Sequence, residues 1–392
     1  MVALERDDPI ISERAAERVA ERKRLKKGSN IVITVVSPAD YIEKEVGFAV
    51  GLFSFFKFCL IDHGTLAKFS AFPFSKLELM LDRQKHLLRL MDWDAEAILG
   101  VIDSAIALKK EVKARKFPYP LLGHTIALYF EKQSLRTITT FKVGMAQLGG
   151  EAVQLDAGSI GLGQRESVAD VARCLGRWVD GIVVRTFAQS LLEELAEESG
   201  VPVINALTDD SHPCQALALG QTLTERFGEL KGRRIVFVGD GNNVANSFAV
   251  MAAKLGMHFV HTGPSGYEQK REVVDELLPL FKKTGGSYLY ERDPALAVAS
   301  ADLVYTDVWT SMGQEAERQE RLKQFAPWCV DEALMSKAPQ TAFFSHCLPA
   351  HRGEEVTDGV MDSPQSLCFD EAENRLHAHK AVILKLLSST AR

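Results

Sequence analysis

From about residue 85 to the end of the chain, short apolar runs alternate with longer stretches in which apolar residues recur at helical spacing. TIALYFE (125–131), AVQLD (152–156), GIVVRTF (181–187) and PVINAL (202–207) are short, apolar or β-branched, and predict strands. ITTFKVGMAQLG and ESVADVARCLGRWV, which lie between them, have the periodicity of amphipathic helices. Strands joined by helical crossovers run parallel, so these segments predict one parallel sheet. A second series, RRIVFVGDG (233–241), HFVHTG, SYLYE, LVYTDVW and TAFFSHCLP, predicts another of similar size.

SHPCQALALGQTLTERFGELKG (211–232) falls between the two series and predicts a helix connecting them. AENRLHAHKAVILKLL, near the end, is amphipathic and predicts a helix that packs back on the first sheet. The expected architecture is α/β: two doubly wound parallel-sheet domains joined by interdomain helices. Their expected bounds are 85–222 and 223–370, with 371–388 returning to the first domain. Residues 1–84 differ in character, with a charged helical start, a possible strand IVITVV, the apolar stretch VGFAVGLFSFFKFCLI (46–61) and KLELMLDRQ. The apolar stretch is shorter than the roughly 20 residues of a membrane span, so it is expected to be buried or surface-docked.

With 392 residues and 46% hydrophobic content, the chain has material for more than one core. A net charge of -6 gives no overall attraction to nucleic acid or to an anionic membrane, although a local basic pocket still suits a small anion. Cys59, Cys174, Cys214, Cys329, Cys347 and Cys368 lack CxxC spacing and zinc-site His partners. Reduced thiols, no metal centre and no disulfide framework are expected. The N-terminus mixes acidic and basic residues without a secretory or transit pattern, and the expected location is cytoplasmic.

Ligands of open α/β sheets bind beyond the carboxyl ends of the strands, and the residues there carry the candidate chemistry. TIALYFE leads directly into KQSLRTITTF, where Ser134 is placed to cap a helix beginning near Leu135. Its free backbone N–H groups, the hydroxyls of Ser134 and Thr137 and the Arg136 guanidinium suit a phosphate; an ordinary capped helix is the competing reading. VGDGNNVAN follows a strand and opens a helix, as a dinucleotide fingerprint does. However, Val244 stands where the third glycine belongs, and HFVHTG ends without the acidic residue that holds a ribose. No nucleotide cofactor is expected.

The octet FEKQSLRT resembles the carbamoyl phosphate loop of the aspartate/ornithine carbamoyltransferase family. LGQRESVADVARCLGRWVDGIVVRTF, PVINALTDDSHPCQALAL, VGDGNNVANS, DVWTSMGQE, HCLPAHRGEEV and AENRLHAHKA follow in that family's order, from about Lys85 to the C-terminus. The resemblance implies that Ser134, Leu135 through its backbone, Arg136 and Thr137 hold the donor phosphate. It also implies that Arg185 reaches the carbonyl oxygen and phosphate, His212 the carbonyl oxygen and Gln215 the carbamoyl nitrogen, while Arg375 closes the pocket. Asn243, Asp307, Ser311 and Met312 would bind the amino-acid acceptor, with the SMG segment as a lid. Cys347, as a thiolate that positions the attacking amine or accepts its proton, and Leu348, whose carbonyl would hold the same amine or the carbamoyl nitrogen, would also be among the carbamoyl phosphate contacts. HCLP together with SMG resembles the ornithine branch. The implied reaction is cofactor-free carbamoyl transfer from carbamoyl phosphate to L-ornithine, in a homotrimer with its sites between subunits and with no nucleic-acid or membrane partner.

The chain departs from the family pattern at Ile138, where a second arginine is usual, at Lys142 in place of a glutamate, and at Gly161, where many members have a glutamine. The first 84 residues are either a genuine extension or upstream sequence read through from an early start codon, and the abrupt onset of resemblance at KHLLRLMDW favours the second. Two further readings stay open: transfer to another amine such as acetylornithine or putrescine, and a catalytically degenerate protein that binds carbamoyl phosphate.

Overall fold

The computed structural model describes residues 85–388 apart from Met312; IVITVV, the apolar stretch 46–61, KLELMLDRQ and Cys59 lie outside the described residues. Among the described residues, nine strands form where the apolar runs predict them. β1 (Thr125–Phe130), β2 (Glu151–Leu155), β3 (Gly181–Arg185) and β4 (Val203–Leu207) make a parallel sheet in the order β2-β1-β3-β4. β5 (Arg234–Val238), β6 (His258–Thr262), β7 (Ser287–Tyr290), β8 (Leu303–Thr306) and β9 (Phe343–His346) make a second, ordered β7-β6-β5-β8-β9. Central strands are covered on both faces, which is why they read as continuous apolar runs.

Alternate residues along each strand serve different cores. In the first sheet Ala127, Tyr129, Ile182 and Val184 pack with Val171, Ala172 and Leu175 of one helix (Val168–Trp178) and with Leu192 and Leu195 of the next (Gln189–Ser199). In chain order the helices to that point are α1 (Ala95–Lys113), α2 (Leu135–Leu148), α3 (Val168–Trp178) and α4 (Gln189–Ser199). Ile126, Leu128 and Val183 point to the opposite face, into a cluster that also contains Ile235, Phe237 and Tyr305 of the second sheet. One apolar core therefore joins the two sheets.

Between them lie α5 (Pro213–Phe227), α6 (Asn243–Leu255) and α9 (Cys368–Ser388), while α7 (Arg271–Thr284) and α8 (Arg318–Phe325) belong to the second half of the chain. α9 packs on α1, α2 and α5, as the amphipathic terminal segment predicts. A buried polar cluster fastens three of these helices. Lys109 of α1 donates to Glu225 at 2.8 Å and to the Asn374 carbonyl at 2.7 Å. Gln221 donates to the same carbonyl at 3.0 Å, and the Asn374 amide donates to Thr222 at 2.9 Å and to Glu225 at 3.0 Å.

Each sheet reverses strand order once, between β1 and β3 in the first and between β5 and β8 in the second, and ligand sites form at such reversals. Both reversals open toward one cleft. Asn374→Leu keeps the side-chain size but strips the helix-joining cluster of its centre, leaving buried donors on Gln221 and Lys109 short of a partner. A loss of about 2 to 3 kcal/mol is expected, read as a lower urea midpoint; an unchanged midpoint would show that the cluster contributes nothing to stability.

Candidate active site

A cleft of about 1060 Å³ lies between the strand ends of the two sheets. The first sheet supplies Ser134, Leu135 and Arg136 after β1, Arg185 at the end of β3, and His212 and Gln215 at the start of α5. The second supplies Asn242 and Asn243 after β5, Asp307 after β8, and Cys347 and Leu348 after β9. Arg375 of α9 reaches it from below.

Ser134 has extended backbone geometry, and its hydroxyl oxygen accepts from the Thr137 N–H at 3.2 Å, so α2 starts where the capping pattern places it. The cap leaves the Ser134 O–H available to donate into the cleft beside the helix N-terminus. Thr137 does not line the cleft: it is fully buried, and its hydroxyl oxygen accepts from Arg375 at 2.6 Å. Its part is to aim Arg375.

Arg136, Arg185 and Arg375 converge here, and among the described residues none of them has a carboxylate within ion-pair distance. Burial lowers the pKa of all three; for Arg185, burial and then the neighbouring Arg375 pull it down to about 10. The Nε atoms of Arg185 and Arg375 are buried without a partner. Cations that are buried or half-buried, repel one another and keep unused donors suit a compact anion.

His212, which precedes Pro213 at the start of α5, is 4% exposed and held through its backbone N–H, which donates to Ser247 at 2.7 Å. Burial, followed by the fields of Arg375 and Arg185, depresses its pKa well below the usual histidine value. It is a neutral imidazole at physiological pH. One turn on, Gln215 is 1% exposed; its amide donates to Glu371 at 2.6 Å, and its carbonyl oxygen has no partner.

The opposite end of the cleft centres on Asp307, whose side chain is oriented by three donors. Oδ1 accepts from the Val308 N–H and from the Cys347 thiol, each at 2.8 Å, and Oδ2 accepts from Asn242 at 2.8 Å. Asn242 also caps α6, its carbonyl accepting from Val244 at 3.0 Å and Ala245 at 3.1 Å. Cys347 differs from the sequence expectation of a thiolate. Burial, then the charge of Asp307 and the hydrogen bond to it, drive its pKa well above that of a free cysteine. Its sulfur lies 2.8 Å from Asp307, in the geometry of a thiol donor.

Beyond Cys347, Leu348 adopts the left-handed region at φ 58 and donates its N–H to His346 at 2.8 Å. That assigns the Nδ1 of His346 as acceptor and its Nε2–H as donor to the buried Glu355, at 3.2 Å. Asp307, His346 and Cys347 each bring one potential metal-ligating atom within 4.8 Å of the others. Both His346 nitrogens are committed to Leu348 and Glu355, however, while Cys347 donates to Asp307. His351, Glu354 and Glu355 make a similar grouping, in which the His351 N–H donates to Glu355 at 2.5 Å. Ser311 lines the cleft; Met312 lies outside the described residues. Asn243 lines it too, with its amide engaged by the Thr208 carbonyl at 2.5 Å.

Four features escape sequence reasoning. Lys132, buried on the cleft wall, pairs with Asp209 and lies 4.2 Å over the Phe187 ring. Asn242 orients Asp307 in addition to capping. Arg321 is buried and donates to Asp240 at 2.8 Å and to the Trp309 carbonyl at 2.9 Å, fastening the start of the 309–317 loop. Glu371, fully buried, lies behind Gln215. Polar residues flanking a strand or helix end are the available signal, and only the fold supplies their distant partners.

Residues 85–225 match the carbamoyl-P binding domain of the aspartate/ornithine carbamoyltransferase family, and residues 231–386 match its Asp/Orn binding domain. An ornithine carbamoyltransferase of Anoxybacillus flavithermus is 48% identical over 303 residues, 77% of this chain and 96% of its own length. That of Pyrococcus abyssi is 49% identical over 304 residues, again 77% of this chain and 96% of its own. The solved structure of ornithine carbamoyltransferase from Pyrococcus furiosus superposes with a TM-score of 0.76 at 47% identity, covering 77% of this chain and 97% of that one.

The protonated state of Cys347 is directly testable. Iodoacetamide at pH 8 is expected to label Cys347 at least about tenfold more slowly than a free cysteine, since only thiolate reacts. Asp307→Asn removes the charge that raises the thiol pKa, and should accelerate labelling. Peptide mass spectrometry gives both rates, and rapid labelling of the wild-type thiol would refute the assignment.

Proposed function

The chain belongs to the aspartate/ornithine carbamoyltransferase family, and from that premise we infer that its cleft transfers the carbamoyl group of carbamoyl phosphate to the side-chain amine of L-ornithine. The products are L-citrulline and phosphate. The observation that carries this reading is the polarity of the cleft: three unpaired guanidiniums at one end and a triply oriented carboxylate at the other. One end suits a phosphate anion and the other an ammonium.

In this reading Ser134, the N–H groups of Leu135 and Arg136, and the Arg136 and Arg185 side chains hold the donor phosphate. Thr137 acts through Arg375. His212, Arg185 and Arg375 donate toward the carbonyl oxygen. As the amine nitrogen bonds to the carbonyl carbon, negative charge grows on that oxygen; as the carbon–oxygen bond to phosphate breaks, it passes to the leaving group. Fixed donors in a dry site stabilise both stages. His212 supports the first as a neutral donor, which needs no change in its own charge. The amine proton ends on the phosphate, so atoms and charge balance without a redox partner.

Asp307 draws the side-chain ammonium of ornithine to the cleft. Cys347 acts as a donor that fixes one Asp307 oxygen, not as a proton acceptor. Asn243 and Ser311 hold the α-amino acid end, together with Met312, and Leu348 contributes its carbonyl. The SMG segment closes over the acceptor.

We place the enzyme in the cytoplasm and its active site in a homotrimer. In support, the five described cysteines are free. β2 is an edge strand with Val153 47% exposed, and Leu135 is 76% exposed at the cleft mouth. Among the described residues no helix is long and apolar enough to cross a membrane.

The purified chain, supplied with carbamoyl phosphate and EDTA, is expected to form citrulline from ornithine and to leave acetylornithine, putrescine and aspartate unreacted. Below the amine's pKa, kcat/KM for ornithine should rise about tenfold per pH unit as the free amine accumulates. No inflection near pH 6.5 is expected from His212, because its depressed pKa keeps it neutral there. A folded, trimeric protein inert toward every acceptor would sink the reading in favour of a degenerate binding protein.

A further inference from the structure

We propose that Glu371 sets the donor specificity of the cleft, by locking the Gln215 amide with its carbonyl oxygen toward the carbamoyl nitrogen. The inference rests on carbamoyl phosphate being the donor, and it concerns how that donor is told apart from other acyl phosphates. Glu371 is 0% exposed and lies four residues before Arg375 on α9. Its Oε1 accepts from the Gln215 amide at 2.6 Å and from the Tyr305 hydroxyl at 3.0 Å, and its Oε2 accepts from Ser345 at 2.5 Å. Burial raises its pKa, while these three donors and Arg375 favour the ionised form.

Glu371 Oε1 accepts from the Gln215 amide and the Tyr305 hydroxyl together, which keeps the NH2 group of Gln215 turned toward it. The other end of the amide is then fixed as an acceptor. That oxygen is buried and without a partner, although its residue lines the cleft. Its cleft neighbours His212, Arg185 and Arg375 offer N–H donors to a ligand. Gln215 is thus an acceptor in a field of donors. A carbamoyl group matches it, presenting N–H on one side of the carbonyl carbon and oxygen on the other. An acetyl group has the same shape but carries a methyl where the N–H belongs, and leaves the buried oxygen unpaired. Tyr305 and Ser345 belong to the second sheet, Gln215 to the interdomain helix. Glu371 therefore holds the specificity contact in register with the acceptor half of the cleft.

Phosphonoacetamide and acetonylphosphonate are non-transferable ligands that differ only in NH2 against CH3 beside the carbonyl. Calorimetry on the full chain is expected to show a preference for the amide on the order of 10- to 100-fold. Glu371→Gln lets the Gln215 amide turn either way, and should reduce the preference to within about threefold, chiefly by weakening the amide while the ketone keeps its affinity. Tyr305→Phe, which removes a different donor from the same carboxylate, should retain the preference. Should E371Q fail to fold by circular dichroism, Glu371→Asp withdraws the carboxylate from Gln215 and is expected to behave alike. Parallel weakening of both ligands would mean a purely structural role and overturn the proposal, as would a wild-type protein that does not discriminate. If phosphonoacetamide does not bind the wild-type chain and no citrulline forms, the donor reading itself fails and takes the proposal with it.

Discussion

Arg136, Arg185 and Arg375 are held close together, largely out of water, with no described carboxylate paired to them. Such an arrangement opposes folding, since Arg185 and Arg375 are buried and Arg136 half-buried, and none regains its lost hydration from a carboxylate. It persists because neutral contacts and packing hold it: Thr137 under Arg375, the end of β3 under Arg185, the capped first turn of α2 under Arg136. The cluster is a structural cost that an anion relieves.

The remainder of the cleft is arranged around that cluster. Its field and the burial of His212 keep the imidazole neutral. At the other end the sign reverses, with Asp307 gathering donors from Asn242, Val308 and Cys347. The two ends belong to different sheets, and the single core shared by Ile126, Val183, Phe237 and Tyr305 fixes the distance between them. α9 serves both halves: Asn374 binds it to the helices behind the first sheet, while Glu371 binds it to the second.

The strands were legible because parallel strands buried on both faces leave unbroken apolar runs, as in GIVVR and LVYT. Ser134 was legible because a cap is local. Ionisation was not: Cys347 carries no sequence mark of the burial and the adjacent carboxylate that keep it protonated. Glu371 was illegible for a different reason. In FDEAENRL it looks like any acidic residue in a first helical turn, and its partners Gln215, Tyr305 and Ser345 are brought to it only by the fold. Two departures from the family pattern also gain a local account. Lys142 donates to Gln154 at 2.8 Å on the surface, and Gly161 sits at φ 59, a conformation a glutamine adopts only with strain.

The unpaired guanidiniums also bear on the end of the catalytic cycle. Charge alone does not let them distinguish the phosphate of the donor from the phosphate it becomes, so the product leaves against the same attraction that recruited the substrate. On the proposed reading, inorganic phosphate competes for the empty enzyme, and throughput depends on the ratio of donor to phosphate in the surrounding solution. A site this strongly cationic gains speed of capture at the expense of product inhibition, and only the contacts beyond the phosphate tilt that balance toward turnover.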